Sequence, residues 1–349
     1  MTRLKEYAQQ LEGSDKAERI YAAEDIGYLN DPRGVTILLE RLGKEPSRAV
    51  RDVIFQALIR IDADASIEGS IRLLGNADPQ IRNQAVDVLR NKGARSIPFL
   101  DKVMREGDKN IRKLVLDILS GNSANGTEEI YAAALSDPDQ NVVITAVENL
   151  GKIRAGLFRN RIESLLHPGA HPMLISACLE ALVGIGDAAS LIAIRRLFPE
   201  IEKLPDFQLA SCLKAIGALG SAREFAEVAS LLYVRGSHLR PAILNALMAI
   251  HPRCPSIEAS EMLLSELQTL VESEDPPLCR YQAVRILGRW ATRDDVYALL
   301  VSWLSNAERL VRLAAVEAIR MTERPELEFV LAARLSEETD DEVLEALNC

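Results

Sequence analysis

One motif recurs along almost all of the 349 residues, and no other feature limits the possible folds so strongly. Its clearest copy is Asp78–Leu89. Aligned on the residue matching Leu89, eleven copies have anchors at Ile26, Leu58, Leu89, Leu119, Leu150, Leu182, Ile216, Leu247, Leu287, Ile319 and Leu347, spaced 28 to 40 residues apart. A unit of that length cannot bury its apolar face alone. The copies must stack and share a continuous core.

The motif is helical. At 100° per residue, Ile81, Val88, Leu89 and the position of Lys92 fall within about 60° of Ala85, while Asn83, Asp87 and Arg90 fall opposite. Asp78 suits the N-cap and Pro79 the first helical position. Asp15, Ser47, Asp108, Asp139 and Ser336 stand at the same offset from their anchors, whereas His171, Pro205 and Pro276 make less regular starts. A second helix with a Leu-Leu core precedes most copies, as at Leu38-Leu39, Leu165-Leu166, Leu231-Leu232, Leu263-Leu264 and Leu299-Leu300. Each repeat therefore reads as helix A, a turn and helix B.

The expected fold is all-α: one elongated solenoid of about eleven helical pairs over residues 1–349, with helix B on the concave side. Arg19, Arg51, Arg82 and Arg112 share one position near the start of helix B, and the ladder resumes at Arg240, Arg280 and Arg312. Flanking the core, each stem packs between repeats and its guanidinium can reach a carboxylate or loop carbonyls. The ladder breaks at Val143, Ile175 and Gln208, so a bend is expected over 121–208. Residues 251–256, His-Pro-Arg-Cys-Pro-Ser, form an insertion followed by a longer helix A from about Ile257 to Glu272. No polar cap follows Leu347, so that end is expected to be partly exposed, docked on another surface, or continued by further sequence.

Ile81-Arg82, Ala85-Val86 and the Asp-Pro before them, with Val311-Arg312 and Ala315-Val316, and Cys279-Arg280 and Ala283–Gly288, resemble HEAT-like repeats of the short bacterial type. Phycobilin lyase subunits of photosynthetic bacteria carry such repeats. The resemblance covers almost the whole chain and implies the α-solenoid fold. It also raises an alternative function, a lyase or isomerase subunit acting on a protein-bound bilin, but no motif here lets a catalytic residue be carried over. Deoxyhypusine hydroxylases, another HEAT-like family, hold di-iron with His-Glu pairs; this chain has no His-Glu dipeptide.

The net charge of −10 sums −1 over residues 1–174 and −9 over 175–349, which disfavours nucleic acid as a ligand. No N-terminal apolar segment and no apolar run of 18 residues occurs, so neither a signal peptide nor a membrane span is expected. Cys178, Cys212, Cys254, Cys279 and Cys349 show no paired spacing and mostly fall on core positions, as expected in a reducing cytoplasm. His167 and His171 are four apart, but Pro168-Gly169 between them makes a turn and no metal site is expected. Trp290 and Trp303 fall on core stripes. No nucleotide-binding, redox or nucleophile motif is present, so the chain is expected to have no catalytic residue and no cofactor.

The expected activity is interaction with another protein along the helix-B face. The Asp87 position reads Asp87, Asp117, Glu148 and Glu180, then changes sign at Lys214 and Arg285 and returns to Glu317 and Glu345. Met248 and Tyr281 stand beside the basic positions. Such a face suits a segment with a basic stretch followed by an apolar anchor.

Overall fold

The computed structural model describes residues 2–120 and 126–348; Met1, Cys349 and residues 121–125, the first of the expected bend, lie outside them. The chain divides into two compact bodies, Met1–Phe158 and Arg159–Cys349. Among the described residues there are 22 α-helices and no strand.

In the first body the pairs are α1 (Thr2–Leu11) with α2 (Lys16–Leu29), and α3 (Arg33–Leu42) with α4 (Arg48–Arg60). Then come α5 (Asp64–Leu73) with α6 (Pro79–Asn91), α7 (Ile97–Glu106) with α8 (Lys109–Leu119), and α9 (Thr127–Ala134) with α10 (Gln140–Lys152). The second body begins with α11 (Arg159–Ser164) and α12 (Pro172–Ile185), α13 (Ala188–Leu197) and α14 (Asp206–Leu219), and α15 (Ala222–Val234) and α16 (Arg240–Ile250). It continues with α17 (Glu261–Glu272) and α18 (Pro277–Leu287), α19 (Asp294–Trp303) and α20 (Arg309–Arg320), and α21 (Leu327–Leu335) and α22 (Asp341–Asn348). Every anchor lies on the second helix of its pair.

The core follows the wheel. Ala85, Leu89, Leu119, Leu150, Leu182 and Leu247 are fully buried, and Trp290 and Trp303 are buried as well. Helix starts follow the capping residues: Asp15, Asp78, Asp108 and Asp139 accept from free amides of the first turn. At the irregular sixth repeat, His171 caps α12 through Nδ1, which accepts from the Met173 amide.

Three local expectations are corrected. Leu165-Leu166 lie beyond the end of the short α11. The long first helix of the ninth pair starts at Glu261, not Ile257, because Ser260 caps it while the Ile257 carbonyl accepts from Trp290 Nε1 at 2.8 Å. In the last pair Ser336 ends α21, and Asp340 accepts from the Glu342 and Val343 amides to start α22. Val343 and Leu347 thus take the places of Ile81 and Ala85, four residues out of the expected phase, and Glu345 is not the counterpart of Asp87.

Within each body the second helices of successive pairs pack closely on one another, while the first helices touch more sparsely. Small residues allow the close approach. Gly27 in α2 faces Ala57 in α4 so tightly that a Cβ would stand 2.9 Å from Ala57 Cα. Alanine is the better helix former by about 1 kcal/mol. Here the clash decides: Gly27→Ala is expected to destabilise the chain by about 1–3 kcal/mol in urea unfolding. A rise in stability would show that α2 and α4 separate freely.

The arginine position connects neighbouring pairs. Arg19 donates through Nη1 to the Gly13 and Ser14 carbonyls, and through Nε and Nη2 to both oxygens of Glu45 at 3.0 and 3.1 Å. Arg112 donates to the Gly107 carbonyl and to both oxygens of Asp137 at 2.7 Å. Arg312 donates to Asn306, Ala307 and both oxygens of Glu338 at 2.9 Å. The acids sit in the loop of the following pair and also accept main-chain amides there: Ser47 for Glu45, Asp139 for Asp137, and Thr339 and Asp340 for Glu338. Arg240 pairs with Asp275. Arg82 reaches only the carbonyls of its own loop, Arg280 reaches the Val271 carbonyl, and Arg51 Nε is buried without a partner. Where the ladder breaks, Val143 and Ile175 are simply buried.

Candidate functional site

A groove of about 370 Å³ lies on the second-helix face of the second body, between α12, α14 and α16. Its floor is made of small apolar side chains: Val183, Ala210, Ala218, Ala242 and Ala249, with Gly217 and Ala246 beneath. Gly217 has the same packing role as Gly27, since a Cβ there would stand 3.0 Å from Ala246 Cα. Alanine and glycine leave room above the backbone that leucine would fill, so the face is concave and apolar along three helices. Lys214 and Asn245, both exposed, stand at the rim.

Of the residues singled out from the sequence, Asp87 and Glu148 are exposed and Asp117 half-buried on α6, α10 and α8 of the first body. The others belong to the second body. Glu180 and Lys214 meet each other at 2.6 Å, so the positive position at the groove is already paired. Tyr281 donates to Glu317 at 3.0 Å, and Arg285 donates to the Tyr281 hydroxyl at 3.1 Å and also pairs with Glu317. Burial, and then Glu317, push the Tyr281 hydroxyl pKa up. The change of sign along the face is therefore knitted into contacts between adjacent helices. Met248 and Arg285 line a small enclosed space of about 20 Å³ together with His251 and Arg289.

Sequence reasoning reached Lys214 but missed the alanines that form the groove. It also passed over His251, which is buried at 4% exposure against Phe225 and Trp290. A further cavity of about 580 Å³ lies in the first body between α7 and α9, next to Gly126. Cys178, Cys212 and Cys279 are buried, Cys254 is partly so, and none of the four is in a disulfide. Burial pushes the Cys178 and Cys212 thiols up to about 12, so neither is a ready nucleophile. Among the described residues no three His, Cys, Asp or Glu side chains gather to hold a metal ion, and no helix is long and apolar enough to cross a membrane.

Helical pairs stacked through their second helices, with a bridging arginine near the start of several of them, define an α-solenoid. The profile of HEAT repeats matches residues 4–90 and 262–348, and the chain belongs to the HEAT-like repeat proteins. Among curated proteins no relative matches the sequence. Among solved structures, a mutant of Kap121p is similar over 99% of this chain and 44% of its own, with 15% identity and a TM-score of 0.69. The karyopherin Kap121p bound to the extreme C-terminus of the protein phosphatase Cdc14p is similar over 99% and 45%, with 14% identity and a TM-score of 0.54. The chain thus spans less than half the length of these karyopherins, and at such identity the likeness is one of fold. Neither the family match nor these neighbours carry the expectation of bilin chemistry.

Proposed function

We propose that this chain is a non-catalytic scaffold that binds a segment of another protein along the second-helix face, with an apolar anchor seated in the groove over α12, α14 and α16. The groove carries this reading: about 370 Å³ of exposed concave surface floored by alanines has room for one or two apolar side chains, and its rim offers polar partners for a main chain. Kap121p bound to a partner's C-terminus supports it by example of fold. The net charge of −10 and the exposed Glu180 beside the groove favour a basic stretch next to the anchor. The acidic charge also argues for protein rather than nucleic acid, and the buried reduced thiols suit a cytoplasmic setting.

The test is selection from a displayed peptide library on the full chain. Enriched sequences should pair Lys or Arg with a following Leu, Ile, Met or Phe. Ala249→Trp, which fills the groove from an exposed position, should weaken a selected peptide by about tenfold or more, equivalent to about 1.4 kcal/mol. Glu180→Lys should slow association at low salt and much less at high salt. Enrichment without basic residues, or a peptide indifferent to Ala249→Trp, would remove the groove as the binding site.

A further inference from the structure

The insertion after α16 builds a second site, apart from the groove. His251 opens it, in a short turn whose ring is held edge-on between Phe225 at 5.8 Å and Trp290 at 5.3 Å. Only 4% of the residue is exposed, and beyond its own main chain neither ring nitrogen has a hydrogen-bond partner. Buried polar atoms are ordinarily paired, because leaving one unpaired forfeits its hydration with nothing in return. Burial, and next the charge of Arg289, push the imidazole pKa down. The ring is thus biased toward its neutral form, with both nitrogens shielded from solvent.

His251 lines a surface cavity of about 390 Å³ with Arg289, Glu323, Pro252, Pro255 and Met321. Arg289 has no hydrogen bond or ion pair, although Arg253, Arg285, Arg293 and Arg324 around it all donate to carboxylates or helix-end carbonyls. Glu323 lines the same cavity, also without a hydrogen bond or ion pair, and does not bridge to Arg289. A cation, an unsatisfied imidazole, an acid and an apolar wall thus converge without satisfying one another. A carboxylate answers the first, taking the guanidinium fork of Arg289 beside the imidazole. The prolines and Met321 ask for an apolar substituent beside it. Glu323 disfavours a second negative charge and can accept an N–H from the ligand.

We infer that this cavity binds a monocarboxylate carrying an apolar group and a neighbouring N–H donor, the chemistry shared by an N-acyl amino acid and the end of a polypeptide chain. The full chain, with 15N-labelled histidine, is titrated with N-acetylleucine while the imidazole resonances are followed. His251 should shift saturably at millimolar ligand, while His167, His171 and His238 stay in place. N-acetylleucinamide, which lacks the carboxylate, should leave His251 unmoved, and Arg289→Gln, at an exposed position, should weaken binding by about tenfold or more. Glu323→Gln should instead admit N-succinylleucine, a dicarboxylate that the wild-type chain rejects. An acetylated tetrapeptide ending in leucine distinguishes the sources: tighter binding than N-acetylleucine assigns the site to chain ends, equal or weaker binding to free acids. An unmoved His251, an equal response to the amide, or full binding by Arg289→Gln would overturn the inference.

Discussion

Glu45→Gln should cost this chain about 3–5 kcal/mol of stability. The Glu45 side chain is fully buried and serves two arginines: Arg19 through both oxygens, and Arg41, four residues earlier, at 2.6 Å. A glutamine of the same shape leaves both guanidinium groups in the interior with their neutralising charge gone. Arg41 keeps only Glu12, at 3.2 Å and half exposed. Glu12→Gln is the control and should cost under about 1 kcal/mol, because Glu12 is half exposed, Lys44 stays hydrated and Arg41 keeps Glu45. The acid limb of stability adds a second reading. Burial alone would raise the Glu45 carboxyl pKa, but hydrogen bonds from Arg19, the Ser47 amide and Arg41 outweigh it and hold it below the ordinary value. A carboxyl depressed on folding stabilises fully above its unfolded pKa of about 4.3 and loses that contribution as pH falls through the folded value. Glu45→Gln should lack this part of the acid limb. Equal urea midpoints for the two variants would mean that the bridge contributes nothing net.

Leu89→Ala should cost about 2–5 kcal/mol, placing it beside Glu45→Gln in effect but without any pH dependence. Leu89 has no exposed surface and lies on α6, which packs against α4 and α8. Cutting it back opens a cavity shared by the neighbouring pairs, and closing that cavity would require two helices to shift together. Leu89→Met, which conserves volume, should cost less than about 1.5 kcal/mol. The two midpoints, compared in one denaturant series, separate lost packing from lost hydrophobicity. An unchanged unfolding curve for Leu89→Ala would place the residue outside the core.

The helix pairs were legible because one physical constraint writes them: a second helix buried on one face shows its 3.6-residue period in every copy. Where two phases bury equally well, the reading slips. In the last pair Val343 and Leu347 are four apart and fit either Ala85 and Leu89 or Ile81 and Ala85, and Ser336 and Asp340, also four apart, are both capping residues. Only the hydrogen bonds of Asp340 decide between them. The early start assigned to α17 failed for a different reason. Ile257 looks like a helix residue, but Trp290, 33 residues away, takes its carbonyl. The groove was hidden because alanine in a helix signals helix propensity whether its Cβ faces a neighbour or open space. Which of these holds at Ala210, Ala242 and Ala249 depends on how close three separate helices lie. The unpaired charges of Arg289 and Glu323 were invisible for a similar reason, since pairing is decided by geometry across different loops.

At three joints the offset between arginine and acid is nearly constant, 26 residues from Arg19 to Glu45, 25 from Arg112 to Asp137 and 26 from Arg312 to Glu338, while Arg240 and Asp275 stand 35 apart across the insertion. At each such joint one helical pair supplies a basic plug and the next supplies an acidic socket in its entry loop. The same fastening is thus made from the same two parts at separate joints, and one change of charge can loosen one joint without touching the others. Over the stretch from Val143 to Gln208 the plug is missing, and that fastening with it. There buried apolar side chains such as Val143 and Ile175, and ion pairs at other positions, Arg195 with Glu227 and Glu180 with Lys214, set the succession of units.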